Sequence, residues 1–235
     1  MDFNTEKKDI LKDQELSLHK KKLKEADPIV LNASKDHRIQ ELSAMDPPDA
    51  YDNEFAVGLD KEQYNKFLRD LMDEHKELIT KVNEFDEALA TFRAGRYIFS
   101  RDVSESFNRF FKYFDEHILP HNRKEEQYYF RIIHKRLIES GEHGNGSNPG
   151  TAVDIMEDDH VKFIQLASIT FNFLGLASRL HDPESRSVTF DLAYNTGREL
   201  VELIRLHIFR EDETLFPLSQ KLLTEADFKI INDHI

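Results

Sequence analysis

From Leu59 onward, apolar residues recur at steps of three and four, and glycine- and proline-containing breaks divide the pattern into long segments. That spacing is the stripe of a helix with 3.6 residues per turn. It predicts a first helix from about Asp60 to Arg93, broken by AGRY, and a second from about Ser100 to Ser140, ended by the loop GEHGNGSNPG. A third runs from about Val153 to His181 and stops at HDPES; a fourth runs from about Arg186 to Phe216, where Pro217 marks an end or a kink. LTEADFKIINDHI predicts a short terminal helix with Thr224 as its N-cap. Four long helices with short connections predict an all-α fold, an antiparallel up-and-down four-helix bundle.

Residues 1–59 follow a different pattern. EKKDILKDQELSLHKKKLKEA is charge-dense and weakly amphipathic, and the stretch after it carries three Pro and several turn residues. This reads as an N-terminal extension, helical then extended, that is either solvated or an arm for a protein partner. The predicted division is an extension over 1–59, the bundle over 60–223 and the short helix over 224–235.

The helical stripes hold the candidate chemistry. They are Leu68, Leu71, His75, Leu78, Val82, Phe85 and Leu89; Phe107, Phe110, Phe114, Ile118, His121, Glu125, Tyr128 and Ile132; Met156, His160, Phe163, Ala167, Thr170, Leu174 and Ala177; and Phe190, Ala193, Leu200, Ile204, His207, Glu211, Leu215 and Leu218. Each is apolar except at a His, or at a His and the Glu one turn later; Thr170 and the Tyr128 hydroxyl are the remaining polar entries. A buried carboxylate without a partner costs several kcal/mol or takes up a proton. Two such Glu and four such His become tolerable together if they converge on cations, since imidazole and carboxylate suit iron, manganese or zinc. The i, i+4 spacing places His and Glu one above the other on a helix, so one metal can take the His while the Glu leans towards a second.

The remaining His read as surface, loop or cap residues. His117 is open between a further ligand, a group hydrogen-bonded to one and a residue at the mouth of the site; Ile118 fits the stripe better. Tyr128, one turn beyond Glu125, is a candidate hydroxyl beside the ligands. The levels agree across helices one and two and across three and four, at about 27–31 Å from the shared turns by the helical rise. His160, only about 8 residues into its helix, requires the glycine loop to climb back along the bundle.

The 235 residues suffice for one sizeable core. Without Cys, neither disulfides nor thiolate metal sites can form. A formal charge of −13 argues against nucleic acid and anionic membrane surfaces as partners. The first residues lack the apolar core of a signal peptide and no apolar run spans a bilayer, which predicts a soluble cytoplasmic protein.

His75, His121 with Glu125, His160, and His207 with Glu211 resemble the hemerythrin HHE cation-binding domain family. HNRKEEQYYF and HIFREDETLFP resemble its two HxxxE motifs, the second continuing into the family's LFP ending, and the likeness covers about residues 60–223. The resemblance implies a non-haem di-iron centre, two Fe ions joined by an oxo or hydroxo bridge, with Glu125 and Glu211 bridging and the four His as terminal ligands. Ferritin-like bundles use Glu-x-x-His instead; here His precedes Glu by four. The family's oxygen carriers use five His, which this chain matches only if His117 coordinates. Its iron–sulfur repair members use four His and two Glu but carry a Cys-containing domain that this chain lacks. The implied function is binding of, or reaction with, O2, NO or peroxide. The alternative is an iron- or oxygen-responsive interaction module without turnover.

Overall fold

The computed structural model describes residues 60–144 and 150–234. The helix and connector expected over residues 1–59 lie outside the described residues. Among the described residues every regular element is helical. A short 3₁₀ turn, Lys61–Gln63, precedes α1, Lys66–Ala94. Helix α2 spans 101–140 as Arg101–Tyr113, Leu119–Lys124 and Phe130–Ser140, joined by π-turns at Phe114–Ile118 and Glu125–Tyr129. Helix α3 is Ala152–Ala177. Helix α4 spans 183–222 as Pro183–Arg210, a π-turn at Glu211–Leu215, and Phe216–Leu222. Helix α5 is Glu225–Asn232.

Local chemistry sets these boundaries. Asn65, Ser100, Thr151, Asp182 and Thr224 each accept a hydrogen bond from the first turn that follows. Helix α1 therefore begins at Lys66 and not at Asp60. Helix α4 begins at Pro183 and not at Arg186, because Asp182 caps it and Pro183 occupies a first-turn position that needs no N–H. Helix α3 stops at Ala177, before the expected His181. Gly141, at φ 87°, ends α2 in the left-handed conformation that glycine adopts without strain. Pro217 does not end α4. The ring and missing N–H of a proline disrupt the ordinary i→i−4 ladder, and α4 passes Pro217 by opening a π-turn just before it, with Phe216 N–H donating to Glu211 C=O. Pro120 follows the π-turn at Phe114–Ile118 in the same way.

Neighbouring helices run in opposite directions. Along α1 and α4, Tyr97 meets Asp191, Asp86 meets Arg198, Asn83 meets Arg205 and His75 meets Glu211. Along α1 and α2, Phe92 packs on Phe107, Phe85 stacks on Phe110 and Phe67 meets Tyr129. Phe111–Phe171 and Glu126–His160 relate α2 to α3, and Thr170–Thr196 and His160–His207 relate α3 to α4. His134, six residues before the end of α2, pairs with Thr151 at 2.9 Å. The loop after α2 thus returns by about 9 Å at the helical rise, which brings His160 level with the other histidines.

Two apolar cores result. One gathers Val82, Phe85, Phe92, Phe107, Phe110, Phe163, Phe190 and Ile204; the other gathers Leu68, Leu71, Tyr129, Phe130, Met156, Leu215 and Phe216. Each of the four long helices passes from one core to the other at its His or His–Glu pair, so the polar residues form a layer between them. In the first core three helices come close at Gly197. A Cβ there would lie 3.0 and 3.1 Å from the Leu89 methyls and 3.4 Å from Thr170 Cγ2. Gly197→Val is expected to lower stability by about 1–3 kcal/mol through overpacking, outweighing the smaller gain in helix propensity. Chemical denaturation checks this; a midpoint equal to or above the wild-type value would contradict it.

Candidate metal centre

Helix α1 contributes His75, α2 His121 and Glu125, α3 His160, and α4 His207 and Glu211. All six are buried, the two Glu completely. The imidazoles form two pairs. His75 Nε2 lies 3.1 Å from His121 Nε2, and His160 Nε2 lies 3.1 Å from His207 Nε2. Glu125 lies between the pairs, with Oε1 3.5 Å from His121 Nε2 and Oε2 3.5 Å from His160 Nε2. Glu211 enters from the other side, its Oε2 3.2 Å from His75 Nε2 and 3.3 Å from His207 Nε2. Ligand atoms thus gather in two groups: His75, His121, Glu125 and Glu211, and Glu125, His160 and His207.

The four carboxylate oxygens of Glu125 and Glu211 are buried without a hydrogen-bond partner. Burial and the neighbouring Glu211 push Glu125 well above the usual carboxylate range. Glu211 is equally buried, yet His207 and His75 hold it well below that range. Burial opposes protonation of His75, but Asp212 and Glu211 outweigh it and raise the imidazole to about 9. Burial lowers both His121 and His160.

Acids outside the six make a ring that the sequence reading missed. Each reaches the Nδ1 side of a histidine on the next helix. Glu74 of α1 accepts from His121 at 2.8 Å, Glu126 of α2 from His160 at 2.8 Å, and Asp212 of α4 from His75 at 2.8 Å. Asp159 of α3 faces His207 at 3.6 Å. A carboxylate on Nδ1 fixes the tautomer that turns Nε2 inward and raises its basicity. A signal was present: Glu74 and Asp159 directly precede a seam His, and Glu126 and Asp212 directly follow a seam Glu.

Tyr128 is corrected by the second π-turn of α2. Phe130 N–H donates to Glu125 C=O, five residues back, which inserts one residue into the helical repeat. Every later position rotates accordingly, so Tyr129 and Ile133 are buried where Tyr128 and Ile132 were expected. Tyr128 instead packs its ring against His234, 4.6 Å away. The Tyr129 hydroxyl bonds Ser219 at 2.8 Å, and Ser219 donates to Leu215 C=O, so neither hydroxyl reaches the carboxylates. His117 is exposed, stacked on Tyr113 at 4.5 Å, and belongs to neither ligand group. It lines a surface cavity of about 230 Å³ that also touches Glu74, Glu77, Glu116 and His121.

Aromatic rings hold the imidazoles in place. Phe216 stacks on His75 at 5.5 Å, Phe130 stacks on His160 at 5.6 Å, and Phe163 meets His207 edge-on at 5.0 Å.

A helical protein whose core closes around such a cluster of imidazoles and unpartnered carboxylates is a metal-binding protein by fold and by donor set. The model of the hemerythrin HHE cation-binding domain matches residues 66–219, and the chain belongs to that family. No curated protein and no solved structure matches it. None of the helices among the described residues is long and apolar enough to cross a membrane.

Proposed function

We propose that the protein holds two iron ions inside an antiparallel up-and-down four-helix bundle, and that it binds or reacts with O2, NO or peroxide there. The observation that carries this reading is the set of four buried carboxylate oxygens without a hydrogen-bond partner, gathered with four inward Nε2 atoms. Such oxygens are costly to bury unless a cation meets them. The opposite directions of neighbouring helices support the bundle. The donor set fits the group: four imidazoles and two carboxylates, with no thiolate, suit iron or manganese better than a soft ion.

His75 and His121 would hold one ion and His160 and His207 the other. Glu125 turns one oxygen to each pair, and Glu211, within 3.3 Å of a histidine of each, would be the second carboxylate shared by the two ions. A pair of irons supplies open positions and redox equivalents for a small ligand. The chain supplies the surroundings. Phe130, Phe163 and Phe216 fix the rings and keep water and large charged ligands out. Glu74, Glu126 and Asp212 keep three imidazoles in the tautomer that directs Nε2 inward.

Metal analysis of full-length protein from iron-replete cells is expected to give close to two Fe per chain. An optical spectrum that changes on exposure to air or NO would accompany it. A reproducible value near one, with a single mononuclear centre, would rule out the pair. Two irons with no spectral response to any of the three ligands would rule out the proposed reactivity.

A further inference from the structure

The four imidazoles are not held alike. Three of them have a carboxylate oxygen 2.8 Å from Nδ1. His207 does not: its acid, Asp159, stays 3.6 Å away, and Nδ1 is buried without a hydrogen-bond partner. The same Asp159 oxygen accepts a bond from Arg210 Nη1 at 3.1 Å. Arg210 stands three residues after His207 on α4 and is itself buried, as is Asp159. The guanidinium therefore occupies the acid that would otherwise orient His207. Lys162 lies 3.9 Å from the other Asp159 oxygen and leaves the shared one to Arg210.

The inner carboxylates do not separate the two pairs. Glu125 and Glu211 reach the two pairs almost equally, Glu211 Oε2 lying 3.2 Å from His75 Nε2 and 3.3 Å from His207 Nε2, so the difference between the pairs lies in the outer acids. Losing the orienting partner of a metal-bound imidazole typically costs 10–100-fold in affinity.

We infer that the two metal positions are unequal, the His160/His207 position being the weaker and exchangeable one, and that Arg210 sets the difference by holding Asp159 off His207. The inference rests on the proposed two-metal reading. It makes this position the last to load and the first to empty, and so the one where a small ligand or a second kind of divalent ion enters. Arg210 is a positioning residue that touches no ligand atom of the centre.

The test uses the full chain loaded anaerobically with two equivalents of Fe(II) and then exposed to a ferrous chelator. Iron is expected to leave in two phases whose rates differ by about tenfold or more. Crystals grown with one equivalent are expected to show anomalous density at His75/His121. Arg210→Met, of similar length, releases Asp159 to His207; the fast phase should slow by about tenfold and approach the other. Glu126→Ala removes the acceptor of His160 and should accelerate only the fast phase, which keeps the test sharp if the Arg210 variant does not fold. Release of two irons in one phase, first density at His160/His207, or an unchanged rate difference in a folded Arg210→Met protein would overturn the inference while leaving the proposed function intact. Protein that takes up no iron would overturn both.

Discussion

Glu125→Ala and Glu211→Ala are each expected to lose both metal ions, not one. Each carboxylate serves the two imidazole pairs at once: Glu125 places one oxygen 3.5 Å from each pair, and Glu211 Oε2 lies within 3.3 Å of a histidine from each. Removing either one leaves both positions short of a ligand, with two cations less shielded from each other. The loss should exceed the 10–100-fold that an outer partner contributes. Iron content after gel filtration measures it, and two irons retained in either variant would show that the carboxylate is not a bridge. Without metal the sign reverses. A buried, unpaired carboxylate costs several kcal/mol, so its removal relieves the fold. Metal-free Glu125→Ala is therefore expected to melt above metal-free wild type, while loaded wild type melts above both. The same variant thus weakens the centre and strengthens the empty fold, an outcome that general damage to packing would not produce.

Removing the metal from the wild type is the second large effect. An ion that binds only the folded state adds about 4 kcal/mol at a thousand times its Kd. Two ions bound that tightly would add about 8 kcal/mol, or roughly 15–30 °C in Tm for a domain of this size. The gap should also depend on pH. In the metal-free protein Glu125 and His75 hold protons more tightly than in the unfolded chain, where they titrate near 4.5 and 6.5. A raised group contributes stability that is present below its unfolded value and lost as pH rises through its folded value. His121 and His160, lowered from 6.5, add stability as pH rises to that value, so the metal-free protein should lose stability as pH rises from about 6.5 to about 9, the range His75 defines. Glu211, held low, also contributes in the opposite sense, on the acid side. Metal binding must displace the protons on Glu125 and His75, so affinity rises across the same range. The Tm difference between loaded and metal-free protein is expected to widen from pH 6 to pH 8.5. Against its burial, His207 is raised as well by Glu211 and Asp159, and calorimetry in buffers of different ionisation enthalpy should detect at least about two protons released at neutral pH. A gap that narrows with pH would contradict this assignment of protons.

The local signals in this sequence are strong because each depends on a few neighbouring residues. Asn65, Ser100, Thr151, Asp182 and Thr224 start helices by satisfying exposed backbone N–H groups. Their pull explains why α1 starts six residues after the expected Asp60 and α4 starts three before the expected Arg186. Steps of three and four assign most inward positions, because only that spacing keeps residues on one face. His75, His121, Glu125, His160, His207 and Glu211 lie inward with their apolar neighbours for that reason.

The tertiary structure decided what spacing alone could not. In the second half of α2 one extra residue in a π-turn exchanges Tyr128 for Tyr129 and Ile132 for Ile133. That turn has no following proline, unlike those before Pro120 and Pro217, so the amino-acid pattern carries no mark of it. Nor does the pattern say how far the loop before Thr151 turns back, which sets the level of His160. Above all, the ring of Glu74, Glu126, Asp159 and Asp212 joins each helix to the next. Along their own helices these acids sit beside the apolar stripe, next to a His or Glu that belongs to it. Whether such an acid reaches an imidazole or pairs with Arg210 depends on the rotation and separation of two helices, which no single helix determines.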